Sequence, residues 1–412
     1  METGSFKERD RKLACDIKEK IEAISSLKSI FRVPVKLRRS DNVPEDEIYI
    51  RSSHNVPENE MYIPDLVSIG PFHHDNENLK LKEDHKLHYL YTLLSRKPNL
   101  EATLHECVMA LRDIEQTARN CYEETLNLTS DEFVEIMLLD GCFIIELFLK
   151  YAFKGLRRRG DPIFTSELFF AVRKNLILLE NQIPWMVLQS LFVIVPIPAQ
   201  CTLTELALGF FKNMLPGERA FLREKFSQEG NHLLDLIHQC YIPTNSIVES
   251  NIAGGEPKAK DAESATKLKK QGIKFMKFTA TSLLDISFSD GVFEIPPLVT
   301  KKYTKVLFAN LIALEQHHSH QIQYFTSYAL LMKDFIQDVK DARLFRHLRI
   351  VVRESEDEVD DNVDEEVLSL FNSLCEGVDL KRFYYAGVEG QVKEYITRRK
   401  SWRKKLECSC FT

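Results

Sequence analysis

The chain reads as mainly α: a multi-helix globular bundle carrying one small antiparallel β-hairpin near residues 282–296. Two observations predict this. From about residue 79 to 240 the apolar side chains recur at spacings of three and four, the period of a helix with one buried face. Strict alternation of apolar and polar residues occurs clearly in one place, where Leu284, Ile286 and Phe288 are followed by Ser289-Asp290-Gly291 and then Phe293 and Ile295. An Asp-Gly pair between two alternating runs is a hairpin turn.

The elements follow in order. Residues 1–40 form an N-terminal helix and lead-in, with Ile17, Ile21, Ile24, Leu27 and Ile30 on one face. Residues 41–78 are an extended loop containing a short tandem repeat, in which Asn42-Val43-Pro44-Glu45 recurs as Asn55-Val56-Pro57-Glu58. One repetition is too short for a solenoid and fits a surface loop, which tolerates insertion. Residues 79–243 are the helical core. Within it 131–151 is apolar on all sides, so it should be buried all round. Residues 172–193 read as a second core helix, which Pro184 either kinks or restarts. Residues 244–270, polar and lysine-rich after Gly254-Gly255, read as a mobile linker or insertion. Residues 271–397 hold the hairpin and C-terminal helices packed on the same core, and 398–412 are a basic, cysteine-containing tail. The run 354–366 places nine acidic side chains in thirteen positions, which predicts a solvated loop.

Composition narrows the function classes. The formal charge is −6, from 55 basic and 61 acidic side chains, which argues against a general nucleic-acid binder. The nine cysteines form no Cys-x-x-Cys pair and fall mostly in apolar stretches, the pattern of internal reduced thiols in the cytoplasm. The N-terminus is too charged for a signal peptide, and the most apolar stretch, Leu191 to Val195, is broken by Pro196 and Pro198. No transmembrane helix is expected in this chain.

The strong catalytic signatures are absent: no phosphate-binding loop, dinucleotide fingerprint, nucleophile elbow or His-Glu-x-x-His. What remains is a set of polar groups in apolar surroundings. Asp140 shares a helix face with Phe133, Ile136 and Leu147, so it should be buried and must be paired, hydrogen-bonded or protonated. Glu180, Asn181 and Gln182 interrupt what reads as an apolar helix, where an amide could satisfy a carbonyl freed by Pro184. Glu315 and Gln316 end the apolar run Leu307 to Leu314. These six residues are the candidate structural polar network. The competing reading makes Asp140, Glu180 or Glu315 a general acid or base in a helical pocket, with no catalytic residue otherwise assigned.

Histidines are less specific. His85 and His88 share a face near Glu83, His73 and His74 are adjacent, and His317, His318 and His320 cluster. Zinc needs three or four converging ligands, and these spacings do not supply them, so no metal or cofactor is predicted. Cys121 follows Arg119 and could be an activated thiol, or simply an internal one.

Several ordered motifs carry a resemblance. Ser29-Ile30-Phe31-Arg32-Val33-Pro34, Tyr62-Ile63-Pro64-Asp65-Leu66-Val67-Ser68-Ile69-Gly70-Pro71, Leu139-Asp140-Gly141-Cys142-Phe143, Leu178-Leu179-Glu180-Asn181-Gln182 and Asn310-Leu311-Ile312-Ala313-Leu314-Glu315-Gln316 occur in this order. Together they resemble the plant family called domain of unknown function 247, over roughly residues 29–402. The resemblance implies a mostly helical body and, in typical members, one C-terminal transmembrane helix. Some members in grasses are associated with pollen–stigma self-incompatibility, which suggests recognition or signalling. It supplies no catalytic residues. Two departures stand out: Asn175 where the family usually has an acidic residue, and an end soon after Trp402 where the family continues into its anchor.

The expectation is therefore a recognition or signalling protein that binds an unknown protein partner without catalysis. The tail adds a second expected partner, an anionic membrane surface. Arg398, Arg399, Lys400, Arg403, Lys404 and Lys405 surround Trp402, with Cys408 and Cys410 placed where acylation commonly occurs.

Overall fold

The computed structural model describes residues 2–25, 61–76, 79, 83–158, 161–216, 229–242, 262–280, 282–317, 322–354 and 362–409, with backbone alone for 2–8, 21–25, 162, 166 and 402–409. The chain is mainly α-helical and divides into two compact units, with a boundary between Ile237 and His238. The repeat at 42–60, His318, His320 and Cys410 lie outside the described residues, as do 243–261 and 355–361.

The first unit holds α1 (Glu2–Ser25), α2 (Glu83–Leu94), α3 (Leu100–Arg119), α4 (Ser130–Ala152), α5 (Ser166–Asn175), α6 (Trp185–Ile194), α7 (Leu203–Phe211) and the start of α8 (Leu233–Tyr241). Helix α4 is its axis. It begins at a reciprocal cap, Thr129 accepting from the Glu132 backbone and Glu132 accepting from the Thr129 backbone. From Ile136 to Lys150 every residue is buried, as an all-round apolar sequence requires. Helices α2, α3, α6 and α7 pack on it. Gly141 permits the close approach of α6: a Cβ there would lie 2.4 Å from Leu191 Cδ1. Phe148 stacks among Phe210 and Phe211 of α7, and each buried aromatic contributes about 1.5–3 kcal/mol.

Of the two readings of Pro184 within 172–193, a kink or a restart, the restart is the one observed. Helix α5 ends at Asn175, residues 176–184 are irregular, and Pro184 caps the start of α6. Proline drives the preceding residue out of the α region, so the break falls before it.

The second unit contains α9 (Ala265–Lys270), then strands β1 (Lys274–Lys277), β2 (Ser287–Ser289), β3 (Val292–Ile295) and β4 (Leu298–Thr300). Next come α10 (Thr304–His317), α11 (Tyr324–Phe335), α12 (Val339–His347), β5 (Val351–Arg353), α13 (Val363–Leu374) and α14 (Ala386–Ser409). The hairpin is present: β2 and β3 pair antiparallel with Ser289 opposite Val292, leaving Asp290-Gly291 as the turn. Both turn residues have positive φ, 49° and 81°, the left-handed pair that a two-residue hairpin turn demands. The structure adds pairings that local alternation did not reveal. Strand β1 runs parallel to β3, making the order β1-β3-β2, and β4 pairs parallel with β5. Parallel partners are far apart in sequence and leave no turn signal. Phe275, Phe293, Phe335 and Phe345 pack together under the three-stranded sheet.

Two regions expected to be solvated differ where they are described. Residues 265–270 of the presumed linker form α9, with Ala265 and Leu268 buried. Residues 363–366 of the acidic run begin α13, and Asp364 is buried, accepting from Arg343 Nε at 2.9 Å and Arg346 at 2.5 Å. Acidic side chains in a first helical turn also complement the helix dipole.

Burial opposes ionisation of Asp364, but the two guanidinium groups outweigh it and hold the carboxyl below its ordinary 3.8. A depressed carboxyl pKa contributes stability above the unfolded value, and that contribution is lost as pH falls through the folded one. Asp364→Asn should therefore lower stability at neutral pH by under about 1 kcal/mol, since both arginines are well exposed. In thermal melts the difference from wild type should close as pH drops below about 4; a constant difference would assign the effect to packing.

Candidate functional site

The segment 66–70 is buried and has neither helix nor strand. Its backbone donors cannot reach water, and each one left unmet would cost about 1–3 kcal/mol. Side chains distant in sequence meet four of them. Asn175 Oδ1 accepts from Leu66 N and Val67 N, both at 2.9 Å. Asn181 Oδ1 accepts from Ile69 N at 2.7 Å, and Asp140 Oδ2 accepts from Gly70 N at 2.7 Å. The amides also return donors: Asn181 Nδ2 to the carbonyls of Val67 and Asn175 at 3.0 Å, and Asn175 Nδ2 to Asp65 Oδ1 at 2.6 Å. Gly70 needs its φ of +78°, and a Cβ there would strike Gln182 O at 2.4 Å.

Gln182 extends this network. Its Nε2 donates to the carbonyls of Leu178 at 2.7 Å and Leu176 at 3.0 Å, and its Oε1 accepts from Leu234 N at 3.1 Å in the first turn of α8. The irregular stretch 176–184 is thus held by its own amide side chain. Glu180 departs from its expected place. It is exposed on that stretch rather than set in an apolar helix, and pairs with His73 Nε2 at 3.0 Å.

Asp140 faces Lys86 Nζ at 2.6 Å, with Glu83 2.7 Å from the same ammonium. Burial pushes the Asp140 carboxyl up, with Lys86 opposing. Burial also opposes the charge on Lys86, but Asp140 and Glu83 outweigh it and hold that group above its ordinary value. The pair was half legible: Lys86 shares the buried stripe of α2 with Tyr89, Leu90 and Leu93. Helix α4 carries a second buried ionic cluster that sequence reasoning missed. Lys150 Nζ lies 2.9 Å from Asp161, Arg96 lies 2.6 Å from Glu146, and Tyr89 OH donates to Asp161 at 3.0 Å. Glu146 and Lys150 were visible as charges inside an otherwise apolar run.

In the second unit Glu315 and Gln316 form a separate cluster. Helix α11 has no side-chain cap of its own at Gln323, and Glu315 supplies one from α10. Its Oε1 accepts from Phe325 N at 2.9 Å and His238 Nε2 at 2.8 Å; its Oε2 accepts from Thr326 N and Thr326 Oγ1, both at 2.9 Å. Gln316 joins Thr326 Oγ1 at 3.3 Å and accepts from Asp379 N at 3.1 Å.

As chemistry, these groups are committed. Glu315 fills its four acceptor sites with internal donors, and Asp140, which holds two donors, lies buried in the core. A surface groove of about 450 Å³ is lined by Lys333, Ser369, Asn372, Ser373 and Glu376, and none of the three candidate carboxylates lies on it. Cys121 is exposed rather than internal, and burial of its sulfur raises rather than lowers its pKa. Arg119, its expected activator, is taken up by Glu115 and the carbonyls of Leu128 and Thr129. Among the described residues no three His, Cys, Asp or Glu side chains converge as metal ligands would. None of the described helices is long and apolar enough to cross a membrane. Of the tail, Arg398, Arg399 and Lys400 are described with side chains on α14; those of Trp402, Arg403, Lys404, Lys405 and Cys408 are not.

Asp140→Ala should cost about 2–4 kcal/mol, because it leaves the Gly70 N–H unmet in the core and removes one of the two carboxylates beside the buried Lys86 ammonium. The double variant Lys86→Met/Asp140→Leu should recover part of that loss. Denaturant titration of wild type, Lys86→Met, Asp140→Leu and the double variant decides it, and a double variant that loses as much as the two singles together would exclude the pairing. Asn175→Asp tests the departure at that position. Its oxygen can still accept from Leu66 and Val67, but a second carboxylate then faces Asp65. We expect a loss of about 1–2 kcal/mol at neutral pH that shrinks as pH falls and the pair takes up a proton. An effect independent of pH would rule out charge repulsion as its cause.

Comparison with known proteins places this architecture. The UPF0481 protein At3g47200 of Arabidopsis thaliana is 29% identical over 309 residues, covering 70% of this chain and 64% of that protein. A second UPF0481 protein of Arabidopsis thaliana, At3g02645, is 26% identical over 199 residues, covering 44% of this chain and 34% of its own length. The chain thus spans less than two thirds of either relative. No solved structure matches it. The sequence profile of DUF247, described as a plant protein of unknown function, matches residues 49–412. The asparagines, glutamine and carboxylates that hold the buried backbone all fall inside that match, and the chain belongs to the DUF247 family of plant proteins of unknown function.

Proposed function

We infer that this protein is a recognition or signalling protein of the cytoplasm that works by binding another protein and catalyses no reaction. The observation that carries this reading is that its two buried candidate acids are engaged by internal partners. Asp140 is held by Lys86 and Gly70, and Glu315 by four donors from His238, Phe325 and Thr326. Such groups define a rigid fold, and their role is to specify packing. The enzyme alternative would need two acids facing one solvent-reachable cavity. Glu180, the exposed one of the three, pairs with His73 instead. A cytoplasmic setting is supported by the cysteines, since none of the described ones is in a disulfide.

The test is affinity capture from plant tissue, followed by reconstitution with the purified partner. A direct complex whose affinity is unchanged by Glu180→Gln is the expected result. Substrate turnover by the purified protein, abolished by Glu180→Gln at an unchanged melting temperature, would replace this reading with the enzymatic one.

A further inference from the structure

The second unit presents a surface that sequence order conceals. Helix α9 and strand β1 are joined by the turn Gln271-Gly272, and Lys269, Lys270, Lys274 and Lys277 on either side of it are exposed. None of these four has an ion-pair partner among the described residues. Strand β1 lies at the edge of its sheet, with Phe275 turned into the core. Alternation therefore sends Lys274, Met276 and the following Phe278 to the outer face. Met276 is 51% exposed and Phe278 42%, large apolar side chains standing among lysines. Glu294, opposite Met276 on that face, is half-buried and accepts from Ser287 Oγ at 3.3 Å.

The C-terminal helix brings more positive charge to this place. Arg399 donates to Gly272 O at 3.1 Å and to Tyr395 OH at 3.0 Å. Gly272 has φ +92°, a backbone conformation that favours glycine, and the Arg399 guanidinium lies over it, 2.2 Å from where a Cβ would sit. Tyr395 in turn covers Gly291 and meets the Phe288 ring edge-on at 5.8 Å. Lys400, next in the chain, is exposed, whereas the exposed Arg398 is paired with Glu394 one turn earlier.

We propose that this face docks on an anionic lipid surface, with Met276 and Phe278 entering the interfacial layer while Lys269, Lys270, Lys274 and Lys400 meet the headgroups. Charge complementarity selects an anionic partner, since each basic residue near such a leaflet strengthens binding about fivefold. The apolar pair selects a bilayer over an acidic protein: lysine stems lie along an apolar surface while their ammonium groups reach outward, the arrangement of interfacial binders. The face includes residues of α9 and β1 more than a hundred positions before the basic tail, so it does not reduce to the tail alone.

Vesicle flotation of the full chain tests this, with phosphatidylcholine vesicles against vesicles containing about a third phosphatidylserine. Binding to the anionic vesicles alone, falling as salt rises, is expected. Lys270→Gln/Lys274→Gln should weaken it about 25-fold, at about fivefold per lysine. Met276→Ser/Phe278→Ser should weaken it at least about tenfold, in high as in low salt. Thermal melts of both variants, which change exposed side chains, check that the fold is intact. No binding at low salt overturns the proposal, and so does binding that neither variant alters. Capture by soluble polyglutamate without vesicle binding would make the face an acidic-protein site and overturn it as well.

Discussion

Five buried residues without regular structure, 66–70, set the central constraint on the first unit. A helix satisfies its own backbone; a bare segment cannot, and it sits where water does not reach. Asn175, Asn181 and Asp140 are the residues that resolve this, each by aiming an oxygen at a specific N–H. Four donors at about 1–3 kcal/mol each amount to roughly the whole stability of an ordinary domain. The helices can pack only in an arrangement that brings α4, the end of α5 and the irregular stretch before α6 to this one strip of chain.

Other features follow from that arrangement. Asp140 must remain available as an acceptor, and Lys86 provides the compensating charge on the facing helix α2. Gln182 must keep its carbonyl against Gly70, and Tyr122 OH donates to that same carbonyl at 3.2 Å. The segment, the break between α5 and α6, and the first turn of α8 become a single hydrogen-bonded assembly. The second unit uses the same device on a smaller scale, where Glu315 of α10 serves as the cap that α11 lacks.

This economy bears on function. Acids in a helical interior invite a catalytic reading, because perturbed carboxyls gather at active sites. Here they are buffered by backbone donors and ammonium groups, as structural networks also are. Chemistry available to a partner lies instead on the outside, where lysines and large apolar side chains of β1 stand near Arg399 of α14.

Local sequence determined the helices, the hairpin and its Asp290-Gly291 turn, because period and turn chemistry act over a few residues. It also marked Asp140 as buried, from its place on an apolar face. It misplaced Glu180, since the helix was read as running through 180–182 up to Pro184, and it left Lys86, Glu146 and Lys150 unremarked although their stripes were visible. Which backbone groups those side chains satisfy was decided only by tertiary structure, as was the pairing of β1 with β3 and of β4 with β5. Asn175 and Leu66 are 109 residues apart, Glu315 and His238 are 77 apart, and Gly272 and Arg399 are 127 apart. A hydrogen bond across such distances has no period and no turn signature, so it becomes readable only once the helices have brought its two ends together.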